Sequence, residues 1–124
     1  LCCKKSARTM RIIIAGTRTF TDYRDLHELV RGSGIRKKIK LIITGGAKGA
    51  DELGKEYAKI NEIDHFEYLP EWEKYGRSAG PIRNKKMIEA ADGLLAIWDG
   101  SSKGTAHIIS EARKKGIFVK ILLI

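Results

Sequence analysis

Apolar residues in this chain gather into five short runs, separated by stretches whose apolar positions recur every three or four residues. The first run, Arg11-Ile12-Ile13-Ile14-Ala15, is rich in β-branched residues and closes at Gly16. From about Asp22 the pattern turns helical, with Tyr23, Leu26, Leu29 and Val30 on one face; Gly32 and Gly34 end it. Leu41 to Thr44 reads as the second strand, and Leu53, Tyr57 and Ile60 form the stripe of the next helix. Phe66-Glu67-Tyr68-Leu69 is a weaker strand stopped by Pro70. A long connection, Glu71 to Gly80, precedes a helix with Pro81 in its first turn, which ends near Ala91-Asp92-Gly93. Leu94 to Trp98 is the fourth strand. The helix after Gly104 turns Ile108, Ile109 and Ala112 inward and stops at Gly116, and Ile117 to Leu123 is the last strand.

Strands that are apolar almost throughout, alternating with helices, predict a parallel sheet covered on both faces. The fold class expected is α/β: a Rossmann-like, doubly wound parallel sheet of about five strands, order 3-2-1-4-5, with helices on both faces. Such sheets bind ligands beyond the carboxyl ends of their strands, near the point where strand order reverses. Three loops fall on that edge: Gly16-Thr17-Arg18, Gly45-Gly46-Ala47-Lys48-Gly49, and Asp99-Gly100-Ser101-Ser102-Lys103-Gly104-Thr105.

The length of 124 residues suits one domain. Residues 10–124 are assigned to it, and residues 1–9 read as a disordered leader or appended segment, with Met10 as the natural start. Cys2 and Cys3 are the only cysteines, and no further ligands accompany them. His27, His65 and His107 sit in separate elements without ligand spacing, so neither a metal nor a cofactor is expected. No apolar run approaches the roughly 20 residues of a membrane span, and no signal sequence stands out. A cytoplasmic protein without a membrane partner is the expectation. The net charge of +9 is partly carried by Lys4, Lys5 and Arg8 and by a solvated connection, Arg36 to Lys40. Lys74 to Lys86, which contains Arg77, Arg83, Lys85 and Lys86 and no acid, is a candidate anion-binding rim.

Glycine lets a turn tighten and lets backbone N–H groups approach a ligand, and a helix beginning there directs its positive end at an anion. The Gly45 loop lacks the Gly-Lys-Ser/Thr ending of a Walker A loop and the spacing of the dinucleotide fingerprint. A tight turn without ligand is its plainer reading. Asp51 reads as an early-helix acid, as a carboxylate that fixes the loop, or as a partner for a ribose hydroxyl. In the second loop, Ser101, Ser102 and Thr105 suit either an N-cap or a phosphate. Arg18, beyond the first strand, suits bidentate contact with phosphate. Arg83 opposes the dipole of its own helix, which points to a ligand or an acidic partner. Trp72 and Tyr75 are candidates for covering a base, whereas Trp98 reads as core.

Taken together, Ile14 to Arg18, Ile43 to Asp51, Trp72 to Asn84 with its Gly-Arg-x-Ala-Gly-Pro-x-Arg-Asn block, and Gly104-Thr105 resemble a known group. It is the small stand-alone, YspA-type branch of the SLOG superfamily, which also contains Smf/DprA and the Lonely Guy phosphoribohydrolases. The resemblance implies a fold that binds nucleotides or nucleotide-derived ligands, with sensing or processing roles in phage and bacterial biology. Arg83 and Met87 match the Arg-Lys-x-x-Met block of Lonely Guy enzymes, but Ile108 stands where their glutamate would be. The remaining catalytic candidates are Asp51, Asp99 and Glu111.

The leading expectation is therefore a nucleotide-binding protein. Its site is drawn from Gly16, Thr17, Arg18, Gly45, Gly46, Lys48, Gly49, Asp51, Arg77, Arg83, Asn84, Gly100, Ser101, Ser102, Gly104 and Thr105, with Trp72 or Tyr75 over the base. The alternatives are a nucleoside-monophosphate phosphoribohydrolase and a DprA-like binder of single-stranded nucleic acid through Arg77, Arg83, Lys85 and Lys86. The partner expected is a small nucleotide-like molecule, nucleic acid ranks below it, and self-association as a homo-oligomer is left open.

Overall fold

The computed structural model describes residues 9–124; the expectations for Cys2, Cys3 and the basic residues before Thr9 lie outside it. Five strands, β1 (Met10–Gly16), β2 (Ile39–Thr44), β3 (Asp64–Glu67), β4 (Gly93–Trp98) and β5 (Phe118–Leu123), pair in parallel in the order β3-β2-β1-β4-β5. The connecting helices are α1 (Tyr23–Gly32), α2 (Ala50–Ile60), α3 (Trp72–Tyr75), α4 (Ala79–Ala90) and α5 (Lys103–Lys115).

The run Ile12-Ile13-Ile14-Ala15 explains why β1 is central. Successive strand residues point to opposite faces, and here both faces are covered. Ile12 and Ile14 pack with Leu26, Leu29, Val30 and Tyr57 of α1 and α2. Ile13 and Ala15 pack with Met87, Ile88, Ile108, Ile109 and Ala112 of α4 and α5. The chain therefore winds first towards β3 and then crosses back past β1 to β4. The C-terminal ends of β1 and β4, with their following loops, flank the crevice that this reversal opens.

Helix ends follow local chemistry. Asp22 accepts a hydrogen bond from the Asp25 N–H at 3.3 Å as the N-cap of α1. Gly116 takes the left-handed conformation that closes α5, at φ 79°.

Three expectations are corrected. The third strand lies at Asp64–Glu67 rather than 66–69, because at the sheet edge it has one hydrogen-bonding neighbour and little core to fill; Phe66 and Leu69 are both more than half exposed. Ile60, the last residue of α2, is exposed rather than part of the inward stripe. The Glu71–Gly80 connection is not open loop, since it coils into α3 and a 3₁₀ turn, Gly76–Ser78, before α4 begins at Ala79. Among the described residues no helix is long and apolar enough to cross a membrane.

Gly54 sets how closely α2 approaches the sheet. A Cβ there would stand 2.9 Å from both Cβ and Cγ2 of Ile14 and 3.2 Å from Cγ2 of Thr44. Alanine would gain up to about 1 kcal/mol of helix propensity, but overpacking a buried contact costs about 1–3 kcal/mol. Gly54→Ala is thus expected to lower the free energy of unfolding by about 1 kcal/mol or more. A urea midpoint equal to or above that of the wild type would show that α2 can withdraw without loss.

Candidate functional site

Beyond the ends of β1 and β4 lies a cavity of about 360 Å³, within the 300–1,000 Å³ usual for small-molecule sites. It draws on four segments: Ala15 to Thr19, Ala47 and Asp51, Arg83-Asn84 with Met87, and Asp99 to Ile108. Thr17 joins two of them. Its N–H donates to Ile97 O at 2.9 Å, and its Oγ1 accepts from the Asp99 N–H at 3.1 Å.

Asp51, although only 5% exposed, belongs to the wall of the cavity. Its Oδ2 accepts from the Gly45 N–H at 2.9 Å and from the Ala47 N–H at 3.3 Å. Burial raises the carboxyl to about 6, with these two amides and nearby Arg83 opposing the rise. Arg83 reaches across from α4, donating Nη1–H to Gly45 O and Nε–H to Asn84 Oδ1, the latter at 2.9 Å. A Cβ at Gly45 would run into that guanidinium and stand 3.0 Å from Asp51 Oδ2, so the close approach requires glycine.

This arrangement corrects the expected role of the Gly45 loop. Two of its N–H groups hold Asp51 instead of facing a ligand. Gly45, Gly46, Lys48 and Gly49 do not border the cavity, and Ala47 does. Of the readings open for Asp51, the carboxylate that fixes the loop is the one the structure displays.

The second loop is differently disposed. Asp99 Oδ1 accepts from the Ser101 and Ser102 N–H groups at 2.9 and 2.8 Å, which hold its carboxyl below the ordinary value. Ser102 Oγ lies 3.2 Å from Thr105 Oγ1. Ser102, Gly104 and Thr105 border the cavity, whereas Gly100 and Ser101 stand outside it. The first N–H groups of α5 have no partner within the helix, as at any helix start, and they bring its positive end to this wall. Arg18 stands exposed at the opposite rim.

Asn84 is buried at 5% exposure. Its Nδ2 lies 3.4 Å from Gly104 O and 3.1 Å from His107 Nδ1, and its Oδ1 holds Arg83. It therefore braces the guanidinium against the start of α5 as well as bordering the cavity.

The aromatic cover is corrected. Trp72 is 54% exposed and does not border the cavity, because α3 and the 3₁₀ turn fold it back over Gly80. Tyr75 borders a separate crevice of about 60 Å³ behind Arg83. Arg77 is exposed on the 3₁₀ turn, away from the cavity. The apolar wall comes instead from Ala15, Ala47, Met87 and Ile108. Glu111 lies outside as well, with its Oε2 3.8 Å from His107 Nε2 and 3.5 Å from Lys114 Nζ. Thr19 borders the cavity and was not foreseen; its place three residues past Gly16 is the signal that marks it.

Raising a carboxyl in the folded state ties stability to pH. Between its ordinary 3.8 and about 6, folded Asp51 holds a proton that the unfolded chain has released, so its contribution falls as pH rises through that window. The advantage of wild type over Asp51→Asn should therefore shrink between pH 4 and 7 by about 2 kcal/mol, at 1.36 kcal/mol per pH unit. Urea denaturation of both proteins across that range measures it, and a pH-independent difference would show that the carboxyl is ionised throughout.

Residues 10–75 match the family described as YAcAr: YspA, cpYpsA-related SLOG family. The Gene 61 protein of Mycobacterium phage D29 is 35% identical over 114 residues, covering 86% of this chain and 91% of that protein. Among solved structures, DNA processing protein A (DprA) from Streptococcus pneumoniae matches with a TM-score of 0.71 at 16% identity, over 92% of this chain. That likeness is one of fold, and it spans 50% of the DprA chain. The chain belongs to the YspA-related SLOG family.

Proposed function

We propose that this protein binds a nucleotide or nucleotide-derived molecule through its phosphate in the cavity between β1 and β4, as a cytoplasmic sensing or sequestering protein. Family membership supports the broader class, a role in binding or processing nucleotides or nucleic acid. The observation that carries the finer reading is a pair of guanidiniums on one cavity. Burial lowers Arg83, Asp51 opposes that lowering, and Arg18 adds to it in smaller measure. Two like charges bordering one cavity, with a helix start on its wall, are stabilised by an anion placed between them.

The two carboxylates of the cavity offset part of that positive charge at neutral pH, but both are already tied to backbone amides. Asp99 is engaged by two amides, and Asp51 by two more while holding its proton up to about pH 6. Either can accept from a ribose hydroxyl. Met87, Ile108 and Ala47 offer an apolar surface for a base.

Arg18→Ala is a cleaner test than Arg83→Ala, because Arg83 also braces the Gly45 turn. Losing a hydrogen bond to a charged group costs about 1.5–3 kcal/mol, so Arg18→Ala should weaken a nucleoside monophosphate by roughly 10- to 150-fold. Calorimetric titration of wild type and variant decides it, and equal affinities would exclude Arg18 from the site.

A hydrolytic reading is favoured by one observation: Asp51 and Asp99 share the cavity with proton affinities pushed in opposite directions. Against it stands Ile108, 2% exposed on the cavity wall at the position of the Lonely Guy glutamate. An aliphatic side chain neither stabilises positive charge nor activates water. Binding without release of free base is therefore expected when nucleoside monophosphates are incubated with the protein and followed by chromatography. Robust release, lost in Asp51→Asn or Asp99→Asn, would put the hydrolase first.

A further inference from the structure

Charge in this chain is divided unevenly between the two edges of the sheet. At the C-terminal edge, where the cavity lies, residues 17–25, 45–52, 67–83 and 99–103 carry seven cations and eight carboxylates. At the opposite edge, where helices end and strands begin, Arg11 and residues 31–40, 59–64, 89–92 and 113–115 carry ten cations and four carboxylates. Adding Glu28 and Glu111, which pair with Arg31 at 2.9 Å and Lys114 at 3.5 Å, still leaves four positive charges uncompensated. Residues 31–40 alone hold five cations and no acid.

On this edge a cleft of about 790 Å³ is lined by Arg11, Lys38, Asp92, Lys115 and Phe118, and Lys37 and Lys40 flank Lys38 in the chain outside it. Arg11 is paired with Asp92 at 3.2 Å, and Lys115 caps the Ile88 and Glu89 carbonyls at the end of α4. Among the described residues Lys37, Lys38 and Lys40 have no acidic partner and are exposed. Phe118 is 37% exposed, an aromatic ring within a basic cleft.

We infer that this edge is a second binding surface, for a single strand of nucleic acid, with Lys37, Lys38 and Lys40 following the phosphates and Phe118 stacking on a base. A basic track beside an exposed aromatic ring is the combination that holds single strands, because every base has a stacking face. A membrane surface or an acidic peptide would use the charge but has no base for the ring. The surface goes beyond the nucleotide cavity and does not rest on it. The two lie at opposite ends of strands six or seven residues long, about 20 Å apart at 3.3 Å per residue. It also differs from the surface expected around Arg77 and Arg83, since Arg83 is turned inward to Gly45 O and Lys86 lies 3.5 Å from Glu71.

The test is fluorescence anisotropy of the full chain with a labelled 20-nucleotide oligothymidylate over a series of salt concentrations. Wild type should bind, and saturating nucleoside monophosphate should not displace the strand. Lys37→Glu/Lys38→Glu should weaken it and reduce the salt slope by about 1.4, at roughly 0.7 per phosphate contact on a single strand. Phe118→Ala should cost about ten-fold, within the range for one stacked base. Phe118→Leu, which keeps an apolar side chain in β5, should lose as much as Phe118→Ala while its Tm stays near that of the wild type. Four results would overturn the inference: no binding at 50 mM salt, variants equal to wild type, displacement by the mononucleotide, or equal affinity for heparin and the oligonucleotide. Binding to phosphatidylserine vesicles without binding to the oligonucleotide would also overturn it, in favour of a membrane.

Discussion

A buried carboxylate under the turn after β2 organises this molecule. Asp51 is shielded from water, and a polar group in that position is tolerated only when its hydrogen bonds are made. The Gly45 and Ala47 amides provide them, and Arg83 closes over the same turn by donating to the Gly45 carbonyl. One side chain thus joins the end of β2 to the start of α2, and Arg83 adds α4 to the assembly. Because the Gly45 and Ala47 amides are already engaged and Gly46, Lys48 and Gly49 stand outside the cavity, an anion there must find its donors elsewhere. The start of α5 and the guanidinium of Arg18 are what the cavity still offers. The position proposed for phosphate therefore follows from where Asp51 sits.

The order of the strands was legible because four of the five apolar runs are long and nearly continuous, and buried parallel strands need little else. The edge strand β3 was placed two residues late. Phe66 and Leu69 look like core residues, but at an edge they face water, and the pattern that identifies a buried strand no longer applies. The cavity itself was half legible. Gly16, Thr17, Arg18, Asp51, Arg83, Asn84, Ser102, Gly104 and Thr105 all border it, because topology brings the ends of β1 and β4 together. The Gly45 turn and Trp72 were not legible in the same way. Whether a loop amide faces a ligand or a neighbouring carboxylate depends on side-chain direction. Whether a tryptophan covers the site depends on a 3₁₀ turn that the sequence pattern did not reveal.

Asn84 has a bracing role that stands beside the binding role proposed for the cavity. A guanidinium near the start of its own helix is disfavoured by the dipole. Here Arg83 is held in place by acceptors from two directions, Asn84 beside it and Gly45 O across the crevice. Asn84 in turn rests against Gly104 O and His107, and His107 approaches Glu111. The acid that a catalytic reading would have drafted from α5 thus lies at the far end of this chain of contacts, and Ile108 faces the cavity in its place. A braced cation beside an aliphatic wall fits the binding role proposed for the cavity better than the hydrolytic one.

The charge difference between the two edges has a partial explanation in the fold. Cations at helix C-termini complement the backbone dipole, which accounts for Arg31, Lys59 and the Arg113-Lys114-Lys115 cluster. It does not account for Lys37, Lys38 and Lys40, which precede or enter β2 beyond the end of α1. Nor does it account for Phe118, the aromatic ring that shares a cleft with Lys38. A surface charge of one sign costs self-repulsion in the compact state. Cations concentrated there are better explained by an external polyanion than by the stability of the chain that carries them.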